Sequence, residues 1–219
     1  MVSKKLRAVI FDFDYTLADS SRGAVECVNF ALKELGLQTA SPESICRTIG
    51  LPLPDTLLKL TGRQHAEKTG QFVKLFKKRA DEMMADATYL FESVPQTLHY
   101  LKRERLKLGI VSTKFRYRIE AVLRRERSYD YFDVIVGGED VAKHKPDPEC
   151  IEKAIDKMCI GQLNTVYVGD SVVDAETAKQ AGVAFVAVLS GVTKRDDLAG
   201  YEIHKIISNL RELPAAIGI

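Results

Sequence analysis

The sequence predicts an α/β protein in which a doubly wound parallel sheet carries an inserted helical domain. Three observations predict this class. Five short apolar runs recur along the 219 residues, and helical patterns lie between most of them. The interval between the first run and the second is about ninety residues long, whereas a simple crossover between parallel strands needs about a dozen.

The five apolar runs are predicted to be strands that are covered on both faces. Each is nearly continuous in β-branched and aliphatic residues, whereas a half-exposed strand would alternate apolar and polar positions. In chain order they are RAVIF from Arg7, LGIVS from Leu108, FDVIVG from Phe132, TVYVG from Thr165 and VAFVAVL from Val183. Strands of this kind are typical of a parallel sheet between two layers of helices.

Helix start patterns occur between these strands. Ser93 and Gln96 in SVPQ fit a capping box before an amphipathic run. Asp147 is a candidate N-cap, and Pro148 follows it in the first turn of the next helix. That helix has one apolar stripe, formed by Ile151, Ala154, Ile155 and Met158. We expect such stripes to pack against the sheet.

The long interval after the first strand contains only helical patterns. They comprise an amphipathic run over 25–35, a helix opened by Ser41 and Pro42, and a long charged helix over about 64–85. We therefore expect 1–18 and 89–219 to form the sheet domain and 19–88 to form a helical domain. Its hinges should lie near Asp19 and Phe91.

Composition and charge exclude several classes of partner. Thirty-two Lys and Arg against 30 Asp and Glu give a net charge of +2, without the excess of positive charge that nucleic-acid binding needs. Asp12 and Asp14 interrupt the apolar start, so it does not fit a signal peptide, and no later apolar run is long enough to span a bilayer. We expect a cytoplasmic protein without nucleic-acid or membrane partners.

The cysteines and histidines do not form a zinc-binding pattern. The cysteines have no paired spacing, and we expect them to be buried thiols in a reducing compartment. They are Cys27, Cys46, Cys150 and Cys159. The four histidines are scattered along the chain, and His144 is expected at the surface.

Polar residues follow the predicted strands at the edge where parallel α/β sheets bind ligands. Asp12 and Asp14 follow the first strand, and Ser112 ends the second. The later strands are followed by Lys145, Asp170 and Asp174. Since the carboxyl ends of parallel strands meet at one edge, these chain-distant groups are expected to form one site.

The charges of this site indicate a bound cation. Four carboxylates face one lysine, and a divalent cation would offset most of the excess negative charge. Oxygen ligands without nearby His or Cys favour Mg²⁺ over zinc. Asp170 and Asp174 are four residues apart at the expected start of a helix, which predicts that they share one helix face.

Four stretches together resemble the motifs of the haloacid dehalogenase superfamily. They are DFDYTL, VST, HKPDP and GDSVVD, in the family's order and across nearly the whole chain. The helical insert resembles the family's C1-type cap, as in the phosphoglycolate phosphatase and β-phosphoglucomutase-like branch. Tyr15 stands where the family usually has glycine, and it could narrow the pocket or pack under the cap.

The resemblance implies a Mg²⁺-dependent phosphatase that acts on a small phosphorylated metabolite. Asp12 would be the nucleophile that forms an aspartyl-phosphate, and Asp14 would be the acid and base. The metal would be bound by Asp12, the Asp14 main-chain carbonyl and Asp170, with Asp174 acting through a water. Candidate substrate-binding residues are Thr16, Arg47, Ser112, Thr113 and Lys145.

Several alternatives remain open at this stage. Lys114 could reach a substrate anion or could be an exposed lysine. A β-phosphoglucomutase-like mutase and a pyrophosphatase are possible within the same branch. A receiver-like phosphoacceptor module and a non-catalytic binding protein are the rivals from other classes. Haloacid cleavage is disfavoured, because the haloacid-cleaving members lack an acid corresponding to Asp14. The chain could be a monomer or a homodimer.

Overall fold

The computed structural model describes residues 6–219 and divides into two compact units. One unit contains the described residues up to Ala18 together with Leu90–Ile219, and the other is Asp19–Tyr89. The expected division placed the inserted domain at 19–88, and residues 1–5 of the expected sheet domain lie outside the described residues.

The larger unit is built on a six-stranded sheet with the order β5-β4-β1-β6-β7-β8. All its paired strands are parallel. In chain order the strands of the molecule are β1 (Ala8–Phe11), β2 (Ala18–Asp19), β3 (Tyr89–Leu90), β4 (Lys107–Val111), β5 (Val134–Val136), β6 (Thr165–Gly169), β7 (Ala184–Val188) and β8 (Lys205–Ile207). The short strands β2 and β3 form a separate pair.

The predicted parallel sheet is confirmed, and each of the five predicted runs contains a strand. The strand β1 lies in the middle of the sheet, and all four of its residues are fully buried. The prediction of five strands was incomplete, because β8 adds a sixth at the edge. The three residues of β8 are Lys-Ile-Ile, and only Ile207 is buried. The segment is therefore too short and too exposed to form the long apolar run by which the other strands were predicted.

The helices lie between the strands of the sheet and throughout the smaller unit. In chain order they are α1 (Ser21–Glu34), α2 (Pro42–Cys46), α3 (Leu53–Thr61), α4 (Thr69–Met83), α5 (Val94–Arg103), α6 (Arg116–Arg125), α7 (Glu149–Met158), α8 (Val172–Ala181) and α9 (Leu213–Ala216). The predicted apolar stripe of α7 is buried in the core with residues of β1, β5 and β6.

Two predicted caps differ in detail from the structure. The capping box at Ser93 is wrong, because the Ser93 side chain makes no cap hydrogen bond at the start of α5. Asp147 lies one residue before the N-cap of α7, which is Pro148, and its Oδ1 accepts from the Glu149 N–H at 3.0 Å. Both helices begin near the expected residue, since proline occupies their first turn or N-cap.

The smaller unit is a helical domain with its own core. Helices α1 and α4 pack together, and their apolar faces meet Ile45 and Leu57 of the two shorter helices. The Ser41 side chain accepts from the Ser44 N–H at 3.2 Å, as an N-cap should. The predicted helix over 64–85 is shorter than expected, because 63–68 form 3₁₀ turns that are kinked at His65.

The cysteines divide into buried and accessible thiols. Cys27 and Cys150 are buried as expected, whereas Cys46 is half-buried and Cys159 is exposed, so the prediction of four buried thiols was wrong for these two. His144 is exposed, as predicted. Residues 6–219 contain no helix with the length and hydrophobicity needed to span a bilayer.

Candidate active site

The acidic residues of the first motif are placed by the middle strand of the sheet. Asp12 directly follows β1, and its N–H continues the ladder by donating to the Val168 carbonyl of β6 at 2.8 Å. Ser112 follows β4 in the same way and donates its N–H to the Val136 carbonyl at 3.1 Å. The predicted carboxyl edge therefore carries both residues, each about 5% exposed.

Lys145 joins the first and last motifs through its ammonium group. Its Nζ donates to Asp12 Oδ1 at 2.8 Å, to Asp174 Oδ1 at 2.7 Å and to the Tyr167 hydroxyl at 2.9 Å. Only 5% of the side chain is exposed. Burial alone would lower the pKa of Lys145, but Asp12 and Asp174 together raise it above its usual value, so the group stays charged.

Asp174 is held by protein donors on both oxygens. Its Oδ1 accepts from Lys145 and from the Tyr167 hydroxyl, the latter at 2.6 Å. Its Oδ2 accepts from the Ser171 hydroxyl at 2.6 Å and from the Ser171 N–H at 3.1 Å. Burial would raise the pKa of Asp174, yet Lys145, Ser171 and Tyr167 hold it below its usual value. Each oxygen of Asp174 therefore accepts two hydrogen bonds from the protein.

Asp170 and Asp174 do not share a helix face, so that prediction was wrong. Helix α8 begins at Val172 with Ser171 as its N-cap, and Asp170 precedes the helix. Asp174 is the third helical residue and forms a capping box with Ser171. The two carboxylates approach because the chain turns between β6 and α8.

Three of the predicted acids could hold one metal ion. Asp12, Asp170 and Asp174 each offer an oxygen, and these oxygens lie within 4.8 Å of one another. The Asp170 carboxylate is also buried, with 5% of the residue exposed. The donor set is all oxygen and buried, and it therefore fits a hard divalent cation.

The ionisation of the cluster supports the same fit. Burial raises the pKa of Asp12 to about 7 despite the opposing effect of Lys145, with Asp174 and Asp14 adding to the rise. Burial, then Asp174 and Asp12, raise the pKa of Asp170 well above its usual value. A metal ion would therefore compete with protons for the carboxylates of Asp12 and Asp170.

Asp14 is paired with a second lysine that the sequence left ambiguous. Lys114 Nζ lies 2.5 Å from Asp14 Oδ1, and the two side chains are 8% and 9% exposed. The Lys114 ammonium also lies 5.5 Å from the centre of the Phe13 ring. The alternative of an exposed lysine was therefore wrong, and the site contains two lysines against four carboxylates.

Tyr15 adopts the left-handed backbone conformation that glycine usually occupies. Its φ is 62°, and its N–H donates to the Ala18 carbonyl at 2.7 Å. Its own carbonyl accepts from the Ser190 hydroxyl at 2.5 Å. Only 7% of the residue is exposed, so Tyr15 is packed within the protein.

Gly191 allows the loop after β7 to approach the acids closely. A Cβ at this position would clash with Asp170 Oδ2 and lie 3.1 Å from the Tyr15 Cβ. Sequence reasoning did not single out Gly191, because a glycine in a loop is usually explained by a turn rather than by a close approach.

The remaining substrate-binding candidates have different surroundings. Thr16 is fully buried, and its hydroxyl has no hydrogen-bond partner among the described residues. Thr16 lines a cleft of about 310 Å³ with Ser190 and Arg211.

Thr113 is half-buried beside Gly138. Arg47 belongs to the smaller unit, where its exposed side chain pairs with Glu43 at 2.7 Å. Their roles stay predictions.

Tyr167 is the site residue that sequence reasoning missed. It occupies the middle of β6, where an aromatic residue is an ordinary core residue, and it is fully buried. Its hydroxyl contacts both Lys145 and Asp174. Burial, together with Asp174 and Asp12, raises the pKa of Tyr167 well above its usual value, so the hydroxyl keeps its proton.

Known proteins resemble this chain over most of its length. A family model described as haloacid dehalogenase-like hydrolase matches residues 9–188. A phosphoglycolate phosphatase from Aquifex aeolicus is 31% identical over 189 residues, which cover 86% of this chain and 87% of that protein. A phosphoglycolate phosphatase from Yersinia pseudotuberculosis is 29% identical over 220 residues, covering 99% of this chain and 95% of that protein.

A solved structure gives the same result. A crystal structure described as a haloacid dehalogenase-like hydrolase from Bacteroides fragilis is 44% identical to this chain, with a TM-score of 0.92. The match covers 95% of this chain and 100% of that one. The likeness therefore extends over nearly the whole described sequence.

Proposed function

Since this chain belongs to the haloacid dehalogenase-like hydrolase family and is a phosphatase, we propose that it hydrolyses a small phosphorylated metabolite through a phosphorylated Asp12. We further propose phosphoglycolate or a similar small phosphate ester as the substrate. The names of the two curated relatives support this choice.

One observation carries the proposal. Asp12 Oδ1 accepts a hydrogen bond from Lys145 Nζ. The Asp12 carboxylate lies beside Asp170 and Asp174 in a buried site at the end of the middle strand. A nucleophile for phosphoryl transfer needs fixed geometry and nearby positive charge, since the phosphoryl oxygens are negatively charged. The site provides both within one pocket.

In the first displacement, an oxygen of Asp12 attacks phosphorus, and the bond from phosphorus to the leaving oxygen breaks. Lys145 and the hydroxyl of Ser112 bind the phosphoryl oxygens while charge moves to the leaving group. Asp14, in its protonated form, gives its proton to the leaving oxygen, which departs as an alcohol. The product on the enzyme is an acyl phosphate on Asp12.

In the second displacement, a water molecule attacks the same phosphorus. Asp14, now a carboxylate, takes a proton from the water, and the phosphorus–Asp12 bond breaks to release inorganic phosphate. Lys114 is paired with Asp14, since its ammonium group lies 2.5 Å from Asp14 Oδ1. Asp12 is regenerated, and the proton returns to Asp14.

The metal ion that this site fits is proposed to be Mg²⁺. Asp12, Asp170 and the Asp14 main-chain carbonyl would hold it, whereas Asp174, whose two oxygens accept hydrogen bonds from protein donors, would act through a water. When bound, Mg²⁺ neutralises charge on the phosphoryl oxygens and orients them.

The smaller unit, Asp19–Tyr89, is proposed to act as the C1-type cap. A cap that covers the site would exclude water during the first displacement and would select the leaving group. Arg47 and Thr16 are the proposed residues for specificity and closure.

The experiment is a screen for Mg²⁺-dependent phosphate release over a panel of phosphometabolites, ranked by kcat/KM. The panel includes 2-phosphoglycolate, sugar phosphates, pyrophosphate and p-nitrophenyl phosphate. Continuous phosphate release that stops on chelation, with a small phosphate ester ranked first, is the expected result. Isomerisation of glucose 1-phosphate without phosphate release would identify a mutase, and a single phosphorylation without turnover would identify a phosphoacceptor module.

A further inference from the structure

The hydroxyl of Tyr167 lies inside the site but takes no part in the mechanism above. We propose that it is a positioning group, which fixes where the Lys145 ammonium and the Asp174 carboxylate lie relative to Asp12. The proposal rests on the proposed function, in which Lys145 binds the phosphoryl group.

The contacts of the hydroxyl place it between the two charged groups. It accepts a hydrogen bond from Lys145 Nζ at 2.9 Å and donates one to Asp174 Oδ1 at 2.6 Å. Lys145 and Asp174 are themselves 2.7 Å apart, so the three groups form a closed triangle. One oxygen therefore fixes the distance and the direction of an ion pair.

The ammonium group of Lys145 has three hydrogens, and each one has an acceptor in the structure. Two of the acceptors are carboxylates, and one of them, Asp12, is proposed to become an acyl phosphate during the reaction. The third, Tyr167, stays neutral and is attached to a rigid strand of the sheet. We infer that Tyr167 keeps Lys145 in place when Asp12 turns toward phosphorus.

The ring of Tyr167 is itself fixed in the core. The residue is fully buried, and its ring centre lies 5.9 Å from that of Phe185 on the neighbouring strand β7. A tyrosine has only two side-chain torsions, so a packed ring presents its hydroxyl at a fixed point. A phenylalanine would fill the same space without providing an acceptor for Lys145.

The test compares Tyr167→Phe with a matched control on the same strand. Thr165 is also buried in β6, and its hydroxyl donates to the Gly161 carbonyl at 3.1 Å. Thr165→Val thus removes one buried hydroxyl and one hydrogen bond at the start of β6. Tyr167→Met supplies a second variant without the hydroxyl, and circular dichroism checks that each variant is folded.

Two readouts are measured on each folded variant. The first is the split between kcat and KM for the best substrate of the panel. The second is the rate at which an amine-reactive reagent labels Lys145 in the metal-free protein, relative to Lys143, whose side chain is 74% exposed. Labelling does not depend on turnover, so it reports on positioning even if the proposed function is wrong.

Tyr167→Phe is expected to lower kcat about 10- to 100-fold with little change in KM, as loss of a supporting hydrogen bond in a site commonly does. The relative labelling of Lys145 should rise about fivefold, the effect expected for one lost hydrogen bond. Thr165→Val should change neither quantity. These results together support the positioning role.

Equal labelling and equal kcat in Tyr167→Phe and Thr165→Val would overturn the proposal. If neither Tyr167 variant folds while Thr165→Val does, the hydroxyl serves the fold rather than the site, and the proposal is also overturned. If the wild type releases no phosphate from any ester, the proposed function fails. The labelling ratio then decides the positioning role by itself.

Discussion

Asp12 lies between groups that act on its charge in opposite directions. Lys145 stabilises the carboxylate, whereas burial and the neighbouring acids favour the protonated form. The balance places the pKa of Asp12 at about 7 in the protein without metal. A cation in the site would favour the carboxylate, and the carboxylate is the nucleophilic form.

Asp12→Asn should lower turnover by at least about 1,000-fold, the scale of losing a catalytic nucleophile. The amide cannot form an acyl phosphate. The variant should unfold at the same temperature as the wild type or higher near neutral pH without metal, because one of the mutually repelling acids is gone. Thermal denaturation and phosphate release check the two parts, and an active Asp12→Asn enzyme would contradict the assignment.

The affinity for Mg²⁺ should rise as the pH increases through about 7. The folded pKa of Asp12 lies above its ordinary value of 3.8, so Asp12 stabilises the metal-free fold at low pH, and this contribution is lost as the pH rises through about 7. A metal ion must displace that proton, which costs up to about tenfold in affinity for each pH unit below 7. Calorimetry in buffers of different ionisation enthalpy measures both the affinity and the released proton; pH-independent binding would contradict the prediction.

Gly191→Ala should weaken both metal binding and activity. The added Cβ would lie 2.9 Å from Asp170 Cγ and would also press on Tyr15, so the Asp170 carboxylate must move. We expect a loss of about 10- to 100-fold in Mg²⁺ affinity. Gly70→Ala is the control, because a Cβ there meets nothing within 4 Å and helix α4 favours alanine. Similar behaviour of the two variants would contradict the close-approach argument.

At the scale of elements, the strands were predictable because burial on both faces leaves a clear pattern. TVYVG predicted β6 to the residue, and the other four runs each contained a strand. Strand β8 was missed because it lies at the sheet edge, where Lys205 is exposed and only Ile207 is buried. An edge strand of three residues has too few apolar positions to stand out from a loop.

Interactions of side chains across the site were harder to predict than elements. The four acids and Lys145 could be found because they follow strands that end at one edge. The Lys114 ion pair could not, since a lysine three residues past a strand end can point into the site or to solvent. The shared helix face of Asp170 and Asp174 was wrong because α8 begins two residues later than the spacing suggested.

Two arginines that follow helix ends are predicted to lower the stability of the fold. Arg105 and Arg127 follow helices α5 and α6 with φ of 61° and 52°, in the left-handed region that favours glycine. Arg105→Gly and Arg127→Gly should each stabilise the fold by about 0.5–1.5 kcal/mol, after the greater freedom of glycine in the unfolded chain is subtracted. The midpoint of urea denaturation measures the change.

The control for this prediction is Arg103→Gly, since Arg103 is an exposed residue with helical geometry at the end of α5. It should destabilise the fold by up to about 1 kcal/mol, because glycine is unfavourable in a helix and no left-handed strain is relieved at this position. A loss of stability in all three variants would contradict the interpretation of Arg105 and Arg127 as strained.

At the scale of the whole molecule, the fold brings together charges from segments more than 130 residues apart in the chain, such as Lys145 and Asp12. The near-neutral net charge of +2 conceals this concentration, because the acids of the site are offset by bases elsewhere. The buried site therefore depends on the parallel sheet, in which β1 lies between β4 and β6 and all three end at one edge.

Asp12 is proposed to carry the phosphoryl group during turnover. The most direct measurement is to quench the working enzyme in acid, reduce acyl phosphates with borohydride and map the peptides by mass spectrometry. If Asp12 is the nucleophile, Asp12 alone should be converted to homoserine, and only when substrate and Mg²⁺ are both present. Phosphate release with no reduced residue, or with reduction at another aspartate, would contradict it.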